Sequence, residues 1–140
     1  MAKLQSNTRI YGTANIDSTL IVGGTVYSNT GVGYITGSGG VVTQATNRTT
    51  GVTLNNPTGR ITLVSQAMAN TTSNTFTFTN SSISANDFLM MSHWSGGTIG
   101  NYTLNANTGA GIANVTIRSI STVTAEAPVI QYVVIKAAAS

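Results

Sequence analysis

The chain has 140 residues, a length that suits one domain, or one domain with an extended arm, rather than two full-sized cores. Thr, Ser and Asn supply 52 of these residues, and the charged side chains are six basic and three acidic, for a net charge of +3. A hydrophobic content of 41% with only 6% charged residues excludes the disordered class, and β-branched and turn-forming residues replace the usual helix formers. The composition predicts an all-β protein.

Charge, cysteine content and hydropathy argue against a nucleic-acid partner, cysteine chemistry and a membrane span. The six basic residues are scattered and form no stripe along a phosphate backbone, so we expect no nucleic-acid partner. The chain has no Cys, which excludes disulfides and thiolate chemistry. Residues 1–7 lack the apolar segment of a signal peptide, and no later run approaches the roughly 20 apolar residues of a membrane span. We therefore expect a soluble protein without a membrane partner.

Residues 1–31 predict an extended N-terminal arm. Its apolar residues come singly or in short groups. The dipeptides Gly12-Thr13 and Gly24-Thr25 weakly resemble a β-solenoid repeat, but the segment is too short to fold alone as a solenoid. Since the apolar side chains need burial, we expect the arm to add strands to a sister subunit or a larger assembly. The alternative is a flexible terminal tail. The residues predicted to bind a partner are Ile10, Tyr11, Ile16, Leu20, Val22 and Tyr27.

Residues 32–40 predict a glycine-rich joint, where missing Cβ atoms permit positive φ and a change of chain direction. The glycine spacing loosely resembles a nucleotide-binding loop. A phosphate-binding lysine, a following helix and a βαβ context are all missing from the pattern, so we expect no nucleotide cofactor.

Residues 41–140 contain short apolar runs separated by turns, a pattern typical of β-sandwiches. About eight strands in roughly 100 residues predict a jelly-roll-like or immunoglobulin-like antiparallel β-sandwich. The predicted strands are 41–46, 51–54, 60–64, 75–80, 87–93, 101–105, 114–121 and 129–136.

Three segments of this domain allow sharper predictions. Strict alternation in residues 74–80 places Phe76 and Phe78 on one face and threonines on the other. The apolar runs 88–91 and 129–135 lack alternation, so we expect them to be central or covered on both faces. Residues 64–70 have modest helix propensity but are too few for an isolated helix, which favours a connecting turn.

The sequence contains no catalytic or metal-binding constellation. His93 is the only histidine, and its neighbour Ser92 should point to the opposite face of the strand, so we expect a structural or interface histidine. Asp17, Asp87 and Glu126 lie far apart in sequence and cannot supply paired carboxylates or, with one His, a closed metal shell. We expect Asp87 to be a loop residue that enters a strand. The predictions are no catalytic residue, no metal and no cofactor.

Two surface properties remain after catalysis is set aside. Tyr34, Trp94, Tyr102 and Tyr132 are candidates for lining a carbohydrate groove, but such aromatics are equally ordinary in a core or an interface. A surface of Thr, Ser and Asn with few charges loses little hydration energy against another protein, and depletion of charge is typical of interface cores. The composition therefore favours a structural role in a symmetric oligomer.

Several short motifs, most of them containing Gly and Thr, are spread along the domain. They are residues 33–46, with the pattern Gly-Gly-x-Val-Thr-Gln; residues 50–55, Thr-Gly-Val-Thr-Leu-Asn; and residues 59–63, 92–98 and 134–137. Together they resemble a β-domain found repeatedly in virion proteins of tailed bacteriophages, over about residues 32–138. That family occurs as C-terminal modules of long tail fibres and as short stand-alone capsid or tail components.

The resemblance implies a virion location and a structural function. A short chain with a strand-forming arm is similar to capsid decoration, or cement, proteins, whose trimeric β-domains sit over junctions between major capsid subunits. We therefore expect a homotrimer on the outer surface of the capsid, with the major capsid protein as its partner and no enzymatic activity. The alternative is a short tail fibre or receptor-binding tip on the tail, whose loops near Trp94 and Tyr102 contact a host-surface glycan.

Overall fold

The computed structural model describes residues 9–137, so the first eight residues of the predicted arm and the last three residues of the chain lie outside it. The chain divides into two units, with the boundary between Gly33 and Tyr34. The described part of the first unit, residues 9–33, contains no strand. The second unit is built from β-strands, which confirms the predicted all-β sandwich.

Residues 34–137, the described part of the second unit, contain ten strands in three sheets. Sheet A has the order β1-β3-β10-β6, sheet B the order β2-β5-β8-β7, and sheet C pairs β4 with β9. The strands are β1 Gly39–Thr43, β2 Val52–Thr53, β3 Thr58–Thr62, β4 Gln66–Met68, β5 Ser73–Thr79, β6 Phe88–Ser95, β7 Tyr102–Gly109, β8 Ile112–Ser119, β9 Val123–Glu126 and β10 Val129–Ile135.

Strand number and direction differ from the prediction. The eight predicted strands all occur with shifted ends, but β4 replaces the turn predicted for residues 64–70, and β9 was not predicted. Both are short, and they form only because they pair with each other across more than 50 residues. The purely antiparallel prediction is also wrong, because β1 pairs with β3 and β2 pairs with β5 in parallel.

The core is formed mainly by the inward-facing side chains of sheets A and B, and residues of sheet C and of two loops complete it. Phe76 and Phe78 are buried and the threonines beside them are exposed, as the alternation predicts. The ring of Phe78 on sheet B meets that of Tyr132 on sheet A edge to face, with 4.9 Å between centroids. The buried apolar residues are Val52, Ile61, Leu63, Met68, Phe76, Phe78, Ile83, Leu89, Tyr102, Ala113, Val115, Ile117, Val123, Ile130, Tyr132 and Val134.

The two apolar runs without alternation occupy different positions in sheet A. Strand β10 is central, between β3 and β6, as predicted. Strand β6 is instead an edge strand, in which Leu89 is buried while Phe88 and Met90 are 59% and 51% exposed. The prediction of a central or doubly covered position was therefore wrong for residues 88–91. Among residues 34–137, nothing covers the outward side chains of Phe88 and Met90.

Several residues of the glycine-rich motifs have packing roles. A Cβ on Gly59 would lie 2.5 Å from the backbone oxygen of Gly40, so a side chain there would force β1 and β3 apart. The buried Gln44 donates from its amide to the Thr50 oxygen at 2.9 Å and accepts from the Val64 amide at 3.3 Å. These motif residues thus specify the β1–β3 pairing and the loop between β1 and β2.

Candidate functional site

The predicted partner-binding residues of the arm are all exposed. Their exposed fractions run from 45% for Val22 to 91% for Tyr27, with Ile10, Tyr11, Ile16 and Leu20 between these values. The expected strands are not formed within residues 9–33. Bends occur at Asp17 and Ser18, and the Ser28 hydroxyl bonds to the backbone of Gly31. Partner binding by these six residues stays a prediction.

A second exposed apolar surface lies on the outer face of sheet A. Strand register places Val41, Arg60, Gln131 and Ser92 in one row across the four strands. The neighbouring row carries Thr58, Val133 and Met90 in the same way, and the next pairs Ile135 with Phe88. We call this surface the apolar face and define it by Val41, Phe88, Met90, Trp94, Val133 and Ile135.

A groove of about 850 Å³ runs along the apolar face. Gly39 on β1 contributes no side chain to it, while Met90 and Gln131 stand on β6 and β10. Its polar groups include the Gln131 amide, which donates to the Ser92 hydroxyl at 2.9 Å. The groove therefore combines apolar walls with a few hydrogen-bonding groups, as binding sites commonly do.

Arg60 and Trp94 form a pair at this face. The guanidinium carbon of Arg60 lies 3.5 Å from the centroid of the Trp94 ring, and the tryptophan remains 45% exposed. A bulge in the β6–β10 pairing leaves Trp94 without a partner on β10, which lets its ring lie beside Arg60. The only salt bridge within residues 9–137 joins Lys136 to Asp87. Arg60 thus has an aromatic contact but no carboxylate partner among them.

The outer face of sheet B is polar, in contrast. Register brings Thr75 opposite Thr116 and Thr77 opposite Asn114, and the hydroxyls of the first pair lie 2.7 Å apart. Further Thr and Asn residues continue these rows on β7. We call this surface the polar face; its residues are Thr53, Ser73, Thr75, Thr77, Thr79, Thr103, Asn105, Asn107, Ile112, Asn114, Thr116 and Arg118.

Arg48 is fully buried and serves the structure. Its guanidinium donates to the backbone oxygens of Val64 at 3.2 Å and Gln66 at 2.9 Å, and also to that of Glu126. It lies 5.5 Å from the centroid of the Tyr102 ring. Because peptide oxygens satisfy its donors, Arg48 joins the loop after β1 to sheet C.

Glu126 holds the loop that follows β6. It accepts the Tyr102 hydroxyl at 2.5 Å and the Thr98 amide and hydroxyl at 2.9 and 3.1 Å. The Thr98 amide, followed by the Tyr102 hydroxyl, lowers the pKa of Glu126, while burial raises the pKa of Tyr102. Sequence reasoning missed this cluster, because its members come from three separate segments.

His93 packs against the same cluster. Its ring meets Tyr102 edge to face at 5.4 Å, and its Nε2 lies 3.0 Å from the Ser95 oxygen. Ser92 bonds to Gln131 on the outer face instead, so the two neighbours do not meet, as strand alternation predicts. These contacts place His93 as a packing residue beneath the loop after β6.

Asp87 holds the other end of β6. It lies in the loop before the strand, as predicted, and its Oδ2 is 2.6 Å from the Lys136 ammonium and 2.7 Å from the Ser84 amide. Its Oδ1 accepts the Ala137 amide at 3.3 Å. These bonds, that from Lys136 first, lower the pKa of Asp87. Carboxylates therefore anchor the chain on both sides of β6.

The four aromatics considered for a carbohydrate groove do not form one surface. Tyr102 and Tyr132 are buried, and the Tyr132 hydroxyl donates to the Asn56 oxygen at 3.0 Å; burial raises the pKa of Tyr132 to about 12. Trp94 and Tyr34 are 45% and 46% exposed, and the Tyr34 hydroxyl donates to the Val134 oxygen. Trp94 lies against Arg60 of the groove, and Tyr132 belongs to the groove's lining although it is buried.

Within residues 9–137, no three His, Asp or Glu side chains come close enough to share a metal ion. The same part of the chain has no helix that is both long and apolar enough to cross a membrane. Comparison with known proteins found no matching family model, no matching curated protein and no matching solved structure.

Proposed function

We propose that the protein is a structural component of a tailed-phage virion, a decoration protein that stabilises the capsid by trimeric contacts between major capsid subunits. The observation that carries this proposal is the exposure of two apolar surfaces, the arm and the apolar face, in a chain with few charges. Contiguous exposed apolar surface marks an interaction site. The virion assignment is supported by the resemblance of residues 32–138 to phage virion β-domains.

The proposed mechanism is mechanical. Each contact that bridges neighbouring capsid subunits raises the barrier to rupture of the shell by packaged DNA. Linking three copies raises the effective concentration of each weak contact, so modest individual affinities suffice. The polar face adds hydrogen-bonding groups with few charges to desolvate, which suits contact with a protein shell.

Co-sedimentation tests the proposal. The full chain is mixed with undecorated capsids and, separately, with host cells. We expect many copies to bind each head, a rise in the temperature at which heads release DNA, and no binding to cells. Deletion of residues 2–28 should abolish co-sedimentation, because it removes all six arm residues predicted to hold the trimer together or to attach it to the shell. Unchanged binding of that variant would show that the arm is not the attachment.

One observation favours a second function, that of a short tail fibre or receptor-binding tip. Trp94 is 45% exposed beside the groove whose lining includes Gln131 and Ser92, and an aromatic ring with amide and hydroxyl neighbours suits a sugar. A glycan array separates the two functions. Binding of a host glycan that Trp94→Ala abolishes, together with no binding to heads, would favour the tail.

A further inference from the structure

We propose that the apolar face is the docking site for arm residues 16–22 of another copy of this chain, with Asp17 of one copy paired to Arg60 of the next. The inference rests on the proposed structural function and deepens it, because it names the surfaces through which copies associate. It concerns contacts between different copies only.

The first argument is that both surfaces are apolar and uncovered. Val41, Phe88 and Met90 on the apolar face are 77%, 59% and 51% exposed. Leu20 and Ile21 of the arm are 67% and 87% exposed. Removing apolar area from water stabilises an association by about 25 cal/mol per Å², so contact between the arm and the apolar face would be favourable.

The second argument is length. The four residues after the bend, 19–22, span about 13 Å when extended, at roughly 3.3 Å per residue. Strands β6 and β10, which carry most of the apolar face, have eight and seven residues. Residues 19–22 therefore fit along about half of these strands, which leaves room for the bent residues 16–18 in the groove of about 850 Å³.

The third argument is charge. Arg60 is the one charged residue that lines the groove, and no salt bridge within residues 9–137 includes it. Covering it with apolar side chains alone would leave a buried cation without a counterion, which is costly. The partner surface should therefore carry an acceptor for the guanidinium; peptide oxygens serve the buried Arg48, and a carboxylate would be the stronger partner.

Asp17 is the carboxylate that fits. Asp87 is bonded to Lys136, and Glu126 to Thr98 and Tyr102, whereas Asp17 is exposed and forms no salt bridge within residues 9–137. The chain bends at Asp17 and Ser18, so strand alternation does not oblige Asp17 to point away from a surface that Leu20 contacts.

Other modes of self-association fit the charges less well. Pairing the apolar faces of two copies would bring one Arg60 towards the other, and like charges in an interface are unfavourable. The polar face carries Arg118 and mostly hydroxyl and amide groups, so it offers neither the apolar area nor the anion. The arm of another copy supplies both.

The experiment uses charge reversal in the full chain and measures self-association by sedimentation equilibrium. Asp17→Arg and Arg60→Glu should each weaken association about five- to tenfold at about 50 mM salt, and less at about 500 mM, where ionic screening is stronger. An equimolar mixture of the two variants should restore association in part, because in a closed trimer of mixed composition two of the three contacts pair opposite charges and the third does not. The double variant should associate like the unmodified chain. Arg118→Glu is the matched control and should have no effect.

Several outcomes would overturn the proposal. These are a monomeric unmodified chain, no weakening by either variant, and a mixture that stays as weak as its components although thermal unfolding shows both to be folded. Loss of glycan binding by Arg60→Glu with self-association unchanged would identify a glycan site instead. Co-sedimentation with heads is measured separately, so a failed charge reversal with intact head binding would overturn the docking contact and leave the decoration function standing.

Discussion

The apolar face and the polar face cover opposite sides of one core, yet their chemistry differs sharply. The polar face consists of Thr and Asn rows with one hydroxyl pair at 2.7 Å, as expected of a surface that water or a polar partner can cover. The apolar face exposes Met90, Phe88 and Val41 around a single cation. The many Thr and Asn residues of the sequence are thus unevenly distributed between the two sheets, and they are concentrated on the polar face.

The difference teaches that strand alternation alone does not assign a surface to water. On β5 the residues between the inward Phe76 and Phe78 are threonines, whereas on β6 the residues on both sides of the buried Leu89 are Phe88 and Met90. Both strands have one buried face. Of the two, only β6 has apolar outward residues, whose exposure to water is unfavourable unless another surface covers them.

The largest expected effect is on the free energy of unfolding, and it distinguishes core positions from positions on the outer faces. Phe78→Ala should lower the free energy of unfolding by about 3 to 5 kcal/mol, because it removes a fully buried ring that contacts Tyr132 on the other sheet. Thr77→Ala, at the next position on the polar face, should change it by less than about 1 kcal/mol. Urea denaturation measures both, and equal losses would contradict the assignment of inward and outward positions.

The second prediction compares the two outer faces directly. Met90→Glu should weaken self-association about 10- to 100-fold, the equivalent of losing burial of one large apolar side chain. Thr77→Glu introduces the same charge on the polar face and should leave self-association unchanged. Sedimentation equilibrium measures both variants. The contrast between the faces has no role in association if the two variants behave alike.

The third prediction is that acid lowers the local stability of β6 before that of sheet B. The pKa values of Asp87 and Glu126 are held below the ordinary 3.8 and 4.5, so their contacts stabilise the folded chain above those values and lose effect as pH falls through the lower folded-state values. Hydrogen-exchange protection of β6 amides should decline below about pH 4.5 before that of β8 amides.

Two variants serve as controls for the pH experiment. Asp87→Asn and Glu126→Gln together should lower β6 protection at neutral pH and flatten its dependence on acid, since neither amide side chain titrates in this range. A simultaneous loss of protection in β6 and β8 of the unmodified chain would mean that acid unfolds the domain as one unit.

The smallest effect is expected within the polar face. Thr75→Val removes the hydroxyl contact with Thr116 but keeps a β-branched side chain, so the free energy of unfolding should change by about 0.2 to 1 kcal/mol. The double variant with Thr116→Val should cost less than the sum of the two single changes, because the pair is already broken. Thermal unfolding of the four proteins measures this coupling, and strictly additive losses would exclude it.

Local patterns predicted much of the strand content. The alternation around Phe76 and Phe78 identified both the strand and its buried face, because a period of two residues is a property of the backbone itself. The short strands β4 and β9 escaped prediction since their residues carry little strand signal and depend on a partner far away in sequence. Parallel pairing of β1 with β3 was likewise a long-range outcome.

The candidate site was harder to predict than the strands. The six arm residues could be named from their apolar character in a polar context, whereas for residues 88–91 of the apolar face the sequence predicts a central strand or one covered on both faces. The continuous apolar run at residues 88–91 was the available signal. It was ambiguous, because burial on both faces and an uncovered docking face produce the same residue pattern.

The amino-acid sequence by itself determined an all-β domain with mostly short strands, because β-branched residues, turn residues and alternation act locally. Only the tertiary structure decided that β6 lies at an edge and that Arg60 packs on Trp94 without a carboxylate partner among residues 9–137. It also decided that Glu126 and Asp87 hold the loops flanking β6. These features depend on the order of strands in a sheet. That order is set by packing among residues distant in sequence, which no local pattern encodes.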